Sequence, residues 1–498
     1  MIKSAVLSVL VASAVGNVAA QPAGPSRADV ARLSAALMGD TPMVDDLRAL
    51  TDVVGGRPTG SEANKKAVEW ALARWRAAGL DVHAEPFTTN RLWLGKATHA
   101  TVGGDVTFSP RVTAMPYSAA TPAGGFTAPV VDGGSGSDAD FTRLGASARG
   151  AFVLVETQPL LDLEGLFREY NEAAETERRA EAAGVGGLVY MSSRPRGLLY
   201  RHNASLGIKN TKPMMIMDRE AAGRVLRLLR KGQKLTLKAE IETQPPAPGA
   251  QNVVAEIKGR ERPQEVVLVG AHLDSWDLGT GALDNGCNVA MLMDVARQIQ
   301  ALGLKPRRTL RFVLWNGEEQ GMLGSWAYAR DHRADLDHYV MAAAFDIGSG
   351  KINGFYTNGR GAEMKPVLEA ALDTVKEQGF FTQVDEPVVG TDNFDFMMEG
   401  VANLIASQQD ATYGPDYHSS SDTFDKVDLV QLRKNAAVAA AVLWGFSEAD
   451  TPWRRQTAAE VQKLVDTTTL KEQMASFGIL DDWASGQRGR RAVPAPAH

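Results

Sequence analysis

Three apolar runs in the C-terminal half of the chain each end in acidic or histidine side chains. The residues concerned are His272 and Asp274 after the first run, Glu318 and Glu319 after the second, and Asp346 after the third. Histidine and carboxylate ligands without thiolate are typical of catalytic rather than structural metal sites. If the three runs bring these side chains together, the chemistry they favour is activation of water by bound divalent metal ions.

The runs themselves have the pattern of strands that are buried on both faces. They cover residues 266–269, 310–315 and 339–345, a fourth lies at 401–406, and helical stretches lie between them. Continuous apolar runs of this length are typical of parallel sheets in α/β proteins. Ligands of such sheets bind outside the carboxyl ends of the strands. We therefore predict an α/β fold whose sheet edge gathers the metal-binding side chains.

Two further candidates lie outside the strand ends. Asp284 follows a glycine-rich loop and precedes a predicted helix, so it is also suited to be the N-cap of that helix. His418 stands in a segment with acidic and hydroxyl neighbours. The other histidines of the sequence give weaker signals: His332 and His338 are interpreted as surface residues, and His83, His99 and His202 have no carboxylate partners nearby.

The spacing of these residues suggests how the work is divided. Side chains two apart on an extended chain point to the same side, so Asp274 can accept the second N–H of a metal-bound His272. Of the adjacent Glu318 and Glu319, one can coordinate metal while the other takes a proton from water. Residues 391–395 are either one wall of a substrate pocket or an ordinary loop and helix start.

The first twenty residues have the pattern of a secretory signal. Lys3 precedes an apolar stretch at residues 5–15, and small residues at 18–20 suit a signal peptidase. A membrane span needs roughly 20 apolar residues, and neither this stretch nor a later one reaches that length. We predict cleavage after Ala20 and a secreted or periplasmic protein without a membrane span; an N-terminal anchor is the alternative.

Length and composition indicate several folded units in one globular chain. With 498 residues, two or three units are expected. The predicted divisions are a signal at 1–20, an N-terminal part of the catalytic domain at 21–97, a strand-rich insert at 98–245 with one helix from Asn171 to Ala183, the main catalytic domain at 250–450, and a tail at 451–498 that has one weak helix pattern and a disordered end.

Charge and cysteine usage exclude other functions. The net charge is −6 with both signs spread along the chain, which excludes a basic stripe for nucleic acid. The single cysteine, Cys287, excludes an intrachain disulfide and a paired-cysteine metal site. The oligomeric state stays open, and a homodimer is compatible with the sequence.

Four motifs resemble those of the co-catalytic zinc exopeptidases, a family that includes bacterial leucyl aminopeptidase and plasma glutamate carboxypeptidase. The motifs are HLDSWD at 272–277, GALDNG at 281–286, LWNGEEQG at 314–321 and YHSSSD at 417–422. The resemblance covers roughly residues 45–87 and 252–448. It implies a mixed, mostly parallel central sheet flanked by helices, with a β-rich protease-associated domain as the insert.

The resemblance also implies a role for each residue and two zinc ions per chain. His272 and Asp346 would bind one zinc, Glu319 and His418 the other, and Asp284 both; Glu318 would be the general base, Asp274 would orient His272, and Tyr417 would donate a hydrogen bond to the tetrahedral intermediate. A cis peptide after Asp284 is expected as well. Two zinc ions and three carboxylates leave one positive charge, which a bridging hydroxide neutralises.

These points predict a secreted di-zinc exopeptidase that hydrolyses peptides or dipeptides by attack of metal-bound hydroxide. Aminopeptidase or dipeptidase activity is the first expectation, and a carboxypeptidase of the plasma glutamate carboxypeptidase type is the alternative. A glutaminyl cyclase of related fold would hold a single zinc. A non-catalytic receptor would have lost metal ligands, whereas all five positions are filled here.

Overall fold

The computed structural model describes residues 27–202, 204–411 and 413–491. The predicted signal at 1–20 and the last seven residues of the predicted tail lie outside this part of the chain. None of the helices in the described ranges combines the length and the apolar character that crossing a bilayer requires.

Fifteen strands are present in the described ranges. In chain order they are β1 (Asp81–Thr88), β2 (Leu94–Gly104), β3 (Val112–Ala114), β4 (Phe126–Asp132), β5 (Phe152–Val155), β6 (Gly187–Met191), β7 (Met214–Met217), β8 (Leu235–Gln244), β9 (Gly249–Ile257), β10 (Arg262–His272), β11 (Arg308–Trp315), β12 (Tyr339–Ala344), β13 (Ile352–Tyr356), β14 (Thr382–Val384) and β15 (Asn403–Gln408).

The same ranges contain fifteen α-helices. They are α1 (Arg27–Leu37), α2 (Met43–Arg48), α3 (Glu62–Ala77), α4 (Asp138–Leu144), α5 (Leu163–Ala183), α6 (Arg219–Arg230), α7 (Cys287–Ala301), α8 (Leu323–Asp331), α9 (Gly361–Leu372), α10 (Asn393–Met398), α11 (Tyr413–Asp416), α12 (Leu429–Glu448), α13 (Ala458–Thr467), α14 (Leu470–Ser476) and α15 (Leu480–Ala484). Short 3₁₀ or π turns connect several of them.

The main sheet has eight strands in the order β1-β9-β11-β10-β12-β15-β13-β14. The neighbours β11, β10, β12 and β15 are parallel to one another, and they correspond to the four apolar runs of the sequence. β1, β9 and β13 add antiparallel pairs. The predicted mixed, mostly parallel sheet flanked by helices is therefore confirmed. Because four adjacent strands run the same way, their carboxyl ends form one continuous edge.

Helices pack on this sheet through faces whose apolar residues recur at helical spacing. In α7 the residues at helical spacing are fully buried, and they are Val289, Leu292, Met293, Ala296 and Ile299. Burying such a side chain contributes roughly 1.5–3 kcal/mol. Gly303 follows the helix with a φ of 64°, the left-handed conformation in which glycine commonly ends helices. The helix is thereby fixed against the strand that leads to the candidate site.

Residues 94–244 form a second sheet, of seven strands, in the order β2-β8-β4-β5-β6-β7-β3. β2 pairs antiparallel with β8, so the chain leaves and re-enters the main domain at neighbouring points. The prediction of one helix in this segment was wrong, because α4, α5 and α6 all belong to it. The assignment of this inserted module as a protease-associated domain stays a prediction.

Helix α5 is longer than the sequence pattern predicted. The prediction was a start at Asn171, whereas the helix begins at Leu163 and Asp162 caps it by accepting the N–H of Gly165 at 2.7 Å. Gly165 weakens the helical pattern of this stretch, which explains the missed start. The added turns carry Tyr170, which reaches the main domain.

The segment beyond residue 451 packs on the main domain, and the prediction of a disordered end was wrong up to Arg491. Helices α13, α14 and α15 bury apolar side chains such as Val461 and Trp483 against α10. Arg488 is buried and donates two hydrogen bonds to Asp395, at 2.7 and 2.8 Å. Its partner lies far away in sequence, so periodicity within the tail could not reveal it.

Replacing Arg488 by methionine is expected to destabilise the protein by about 3–5 kcal/mol, because Asp395 would keep a buried charge without its partner. The measurement is the urea midpoint of unfolding followed by tryptophan fluorescence. Arg454→Met is the control, since Arg454 is 66% exposed in its ion pair with Glu460. Equal midpoints for the two variants would show that the Arg488 pair does not hold the tail.

Candidate metal centre

Five histidine and carboxylate side chains meet at the carboxyl edge of the parallel strands. They form two groups that share one member, namely His272 with Asp284 and Asp346, and Asp284 with Glu319 and His418. Within each group the ligand atoms lie within 4.8 Å of one another, and every residue is buried. These are the five residues that the sequence singled out, and the structure brings all of them together.

Asp284 faces the two histidines through different carboxylate oxygens. Its Oδ1 lies 3.1 Å from Nε2 of His272, and its Oδ2 lies 3.2 Å from Nε2 of His418. The same nitrogens lie 2.8 Å from Asp346 and from Glu319, respectively. Two ligand atoms about 2.0–2.1 Å from a tetrahedral zinc stand roughly 3.3 Å apart. The spacing therefore suits one ion in each group with Asp284 between them.

Carboxylate oxygens without donors indicate that a cation belongs in this cluster. Asp284 Oδ2 and Glu319 Oε1 are buried and have no hydrogen-bond donor among the described residues. A buried charge without a partner is costly. Burial, followed by the neighbouring Asp284 carboxylate, raises the pKa of Glu319 to about 7. Bound divalent cations would offset this cost, so the donor set fits the zinc ions that the sequence predicts.

Backbone carbonyl groups orient both imidazole rings. Nδ1 of His272 lies 3.0 Å from the carbonyl oxygen of Asp274, and Nδ1 of His418 lies 2.9 Å from that of Arg201. When Nδ1 donates its proton to a carbonyl, Nε2 keeps a lone pair for a metal. The prediction had assigned the carboxylate of Asp274 to this task. That carboxylate lies 3.6 Å from Nδ1, and the backbone oxygen of the same residue accepts the hydrogen bond.

The Asp274 carboxylate instead connects two loops of the site. Its Oδ2 accepts the hydroxyl of Thr59 at 2.8 Å, and Thr59 in turn accepts the N–H of Gly317 at 2.7 Å. Thr59 comes from the tight glycine-rich loop at residues 55–60 and was not identified from sequence. Asp274 thus fixes the turn that presents Glu318 and Glu319.

Arg57, from the same loop, is a second residue that sequence reasoning missed. It is fully buried and donates to the carbonyl oxygens of Leu273, Thr280 and Gly281 at 2.5, 2.8 and 2.9 Å. Burial lowers its pKa to about 10, so it still carries its charge at neutral pH. Every residue has a backbone carbonyl, so the residue types do not reveal these acceptors. Only the unusual Gly-Gly-Arg-Pro sequence distinguishes the loop.

Asp422 fixes the backbone on which Asp284 stands. Its carboxylate accepts the N–H groups of Ala282, Leu283 and Asp284 at 3.0, 2.6 and 3.1 Å. The peptide bond between Asp284 and Asn285 is cis, as the resemblance implied. The Asn285 side chain donates to the carbonyl oxygen of Phe345 and so connects this turn to the end of β12.

Glu318 lies beside the two groups without belonging to either. Its Oε2 is 4.0 Å from Nε2 of His272, farther than any of the ligand oxygens. Burial, together with the Asp346 and Asp392 carboxylates, raises the pKa of Glu318 well above its ordinary value. A carboxylate that lies beside the ligand groups but belongs to neither of them is suited to proton transfer.

Tyr417 lies against the ring of His418, with the ring centroids 3.6 Å apart and the planes 21° from parallel. Its hydroxyl lies 2.8 Å from that of Tyr170, which comes from α5 of the inserted module. His202 of that module also has an acidic neighbour, contrary to the prediction, because its Nε2 is 3.5 Å from Glu169. No sequence pattern predicts these contacts, because they join distant segments.

The chain is similar to known peptidases in sequence and in fold. The pattern of Peptidase family M28 matches residues 252–443. Carboxypeptidase Q of Bos taurus is 30% identical over 409 residues, which cover 80% of this chain and 83% of that protein. A solved Peptidase M28 precursor from Shewanella amazonensis superimposes with a TM-score of 0.77 at 27% identity, over 86% of this chain and 98% of that one. BSAP, a zinc aminopeptidase from Bacillus subtilis, shares the fold with a TM-score of 0.64 at 23% identity, over 81% and 93%.

Proposed function

The chain belongs to peptidase family M28, and on that premise we propose that it is a di-zinc exopeptidase that cuts at the amino end of peptides or splits dipeptides. The observation that carries the proposal is the position of Asp284, whose two oxygens face two separate histidine-carboxylate groups. A site for one zinc would need only one of these groups. The single-zinc cyclase reading is disfavoured for that reason.

In the proposed mechanism the protein side chains divide the work around the reacting centre. When bound, the zinc ions lower the pKa of a water molecule and polarise the scissile carbonyl. Glu318 accepts the proton of the attacking water and passes it to the leaving amine. Tyr417 donates a hydrogen bond to the developing oxyanion. The carbonyl oxygens of Asp274 and Arg201 hold the two imidazoles in place.

The cationic side chains around the site favour the amino end over the carboxyl end. A carboxypeptidase needs a positive group for the substrate's terminal carboxylate, and a guanidinium is the usual choice. Arg57 is engaged by backbone carbonyls, Arg201 by both oxygens of Asp277 and Arg194 by Glu169. Arg488 is paired with Asp395. None of these four offers its charge to a ligand.

The acidic side chains point the same way. Besides the three carboxylates of the metal groups, Glu318 and Asp392 lie at the site, and both oxygens of Asp392 are buried without a donor in the described part of the chain. Surplus negative charge attracts an ammonium group and repels a carboxylate. We therefore infer that the substrate presents its free amino terminus here.

Hydrolysis of end-blocked dipeptides tests this proposal. We expect kcat/KM for a free dipeptide to exceed that for its N-acetylated form by roughly 100-fold or more, because a site that pairs a buried polar group rejects an analogue without it. Amidation of the carboxyl end should change kcat/KM far less. If the N-acetylated dipeptide is cut as fast as the free one while the amide is not, the carboxypeptidase alternative is correct.

Export completes the proposed function. The signal pattern at residues 1–20 supports action in the periplasm or outside the cell. N-terminal sequencing of the secreted protein would locate the cleavage site, for which Ala20 is the expected last residue removed.

A further inference from the structure

We propose that Tyr170, a residue of the inserted module, is a positioning residue that holds and polarises the hydroxyl of Tyr417. The proposal rests on the proposed function, in which Tyr417 donates a hydrogen bond to the oxyanion. It assigns the module a part in catalysis, because the module supplies the group that completes this donor.

The contact between the two tyrosines is direct. Their hydroxyl oxygens lie 2.8 Å apart, an ordinary distance for an O–H···O hydrogen bond. Tyr417 in turn lies flat on His418, whose Nε2 faces Asp284 and Glu319. Tyr170 is therefore connected to the metal groups through Tyr417 and His418, and its hydroxyl contacts the hydroxyl of Tyr417 directly.

Tyr170 is held rigidly from both sides. It is 6% exposed, its ring stacks on Phe477 with the centroids 5.2 Å apart and the planes 15° from parallel, and the ring of His202 meets it edge-on at 5.5 Å. Phe477 belongs to the C-terminal segment and His202 to the inserted module. Since the ring cannot turn freely, its hydroxyl keeps a fixed position. Tyr417 is therefore already ordered before each turnover, without a further loss of entropy.

The module also holds the backbone of the loop that carries Tyr417. A guanidinium nitrogen of Arg194 donates to the carbonyl oxygen of Tyr417 at 3.2 Å, and the N–H of Arg201 donates to that of His418 at 2.9 Å. The loop is thus fixed at its backbone and at its phenol by the same module. Because the module holds this loop at two separate points, the contact between the two tyrosines is not a chance one.

The chemistry follows from the direction of the hydrogen bond. Either hydroxyl can be the donor of this hydrogen bond; in the proposed arrangement Tyr170 donates its proton to the Tyr417 oxygen, which leaves the Tyr417 proton for the oxyanion. A hydroxyl that accepts a hydrogen bond becomes a stronger donor, because the two bonds polarise each other.

Kinetics of Tyr170→Phe, Tyr417→Phe and the double variant test the proposal. Tyr417→Phe should lower kcat about 100-fold, as loss of one oxyanion donor does. Tyr170→Phe should lower kcat about fivefold to tenfold, the worth of one net hydrogen bond, with KM changed by less than about twofold. In the Tyr417→Phe background the second change should have less than about a twofold effect, because it acts through the missing hydroxyl.

Tyr190→Phe is the matched control. Tyr190 is a buried tyrosine of the same module whose hydroxyl has no hydrogen-bond partner in the described part of the chain, so the loss of that hydroxyl should leave kcat unchanged. A second readout is the affinity for a phosphinic dipeptide analogue, measured by calorimetry. Tyr170→Phe should weaken it by the same factor as kcat, since the analogue mimics the tetrahedral intermediate.

Two results would overturn the proposal while leaving the proposed function intact. One is a Tyr170→Phe variant with the kcat and analogue affinity of the wild type. The other is an equal loss of kcat in the wild-type and Tyr417→Phe backgrounds, which would mean that Tyr170 supports the fold and not the donor. If the zinc-loaded wild type cuts no peptide at all, the proposed function itself fails.

Discussion

Replacing Glu318 by glutamine is expected to lower kcat by roughly 10²–10⁴-fold, the usual contribution of a general base, while the metal content of the protein is unchanged. The amide has nearly the same shape as the carboxylate but cannot accept the proton of the attacking water. Metal is retained because Glu318 belongs to neither ligand group and its nearest oxygen is 4.0 Å from His272.

The measurement pairs metal analysis of the purified variant with steady-state kinetics on a free dipeptide. Glu261→Gln is the control, because Glu261 is a surface carboxylate that is 55% exposed in its ion pairs with Arg260 and Arg307. Full activity with both metals in place would show that Glu318 is not the base. Loss of metal from the variant would instead make Glu318 a ligand.

The convergence of the candidate ligands could be predicted because strand direction fixes where each apolar run ends. His272 is the last residue of β10, and Glu319 and Asp346 follow β11 and β12, three of the four adjacent parallel strands. Buried apolar runs of this kind are visible in the sequence. The identity of each side chain then indicates its chemistry. Once the strands are known to be adjacent and parallel, the three residues must lie at the same edge of the sheet.

The supporting contacts could not be predicted because they use groups that every residue has. The acceptors for the two imidazoles are backbone carbonyls of Asp274 and Arg201, and any residue at those positions would supply one. Arg57 likewise binds carbonyls across more than two hundred residues of sequence. Periodicity in the sequence shows which face of a helix or strand is apolar. It does not show which distant residue that element contacts.

The same reason explains the errors in the inserted module and in the tail. Tyr170 lies on turns of α5 that Gly165 obscured, and Arg488 pairs with an aspartate far upstream. In both places the polar residue is visible in the sequence, but the distant residue that it contacts is not. The missed contacts of the inserted module and of the tail are therefore those that join elements added to the central α/β domain to distant residues.

Replacing Asp284 by asparagine is expected to have the largest effect on metal binding of any single change at the site. Both groups lose a charged ligand at once, since Asp284 is their common member. Removing a partner of a metal ligand already costs roughly 10–100-fold in affinity, and removing a shared ligand should cost more than that for each ion. We expect less than one zinc per chain and activity at the background level.

Dialysis against dilute chelator followed by metal analysis measures this loss, and two further variants calibrate it. Asp422→Asn should release metal partially, because Asp422 only holds the backbone of residues 282–284 through three N–H groups. Asp425→Asn should retain both ions, since that side chain is 70% exposed and pairs with Lys426 at the surface. If Asp284→Asn kept two ions of wild-type affinity, the two groups would be separate sites and Asp284 would not bridge them. A loss of only one ion would place Asp284 in a single group. If Asp284 is a shared ligand on a turn that Asp422 fixes, the loss of metal should be largest for Asp284→Asn, smaller for Asp422→Asn and absent for Asp425→Asn.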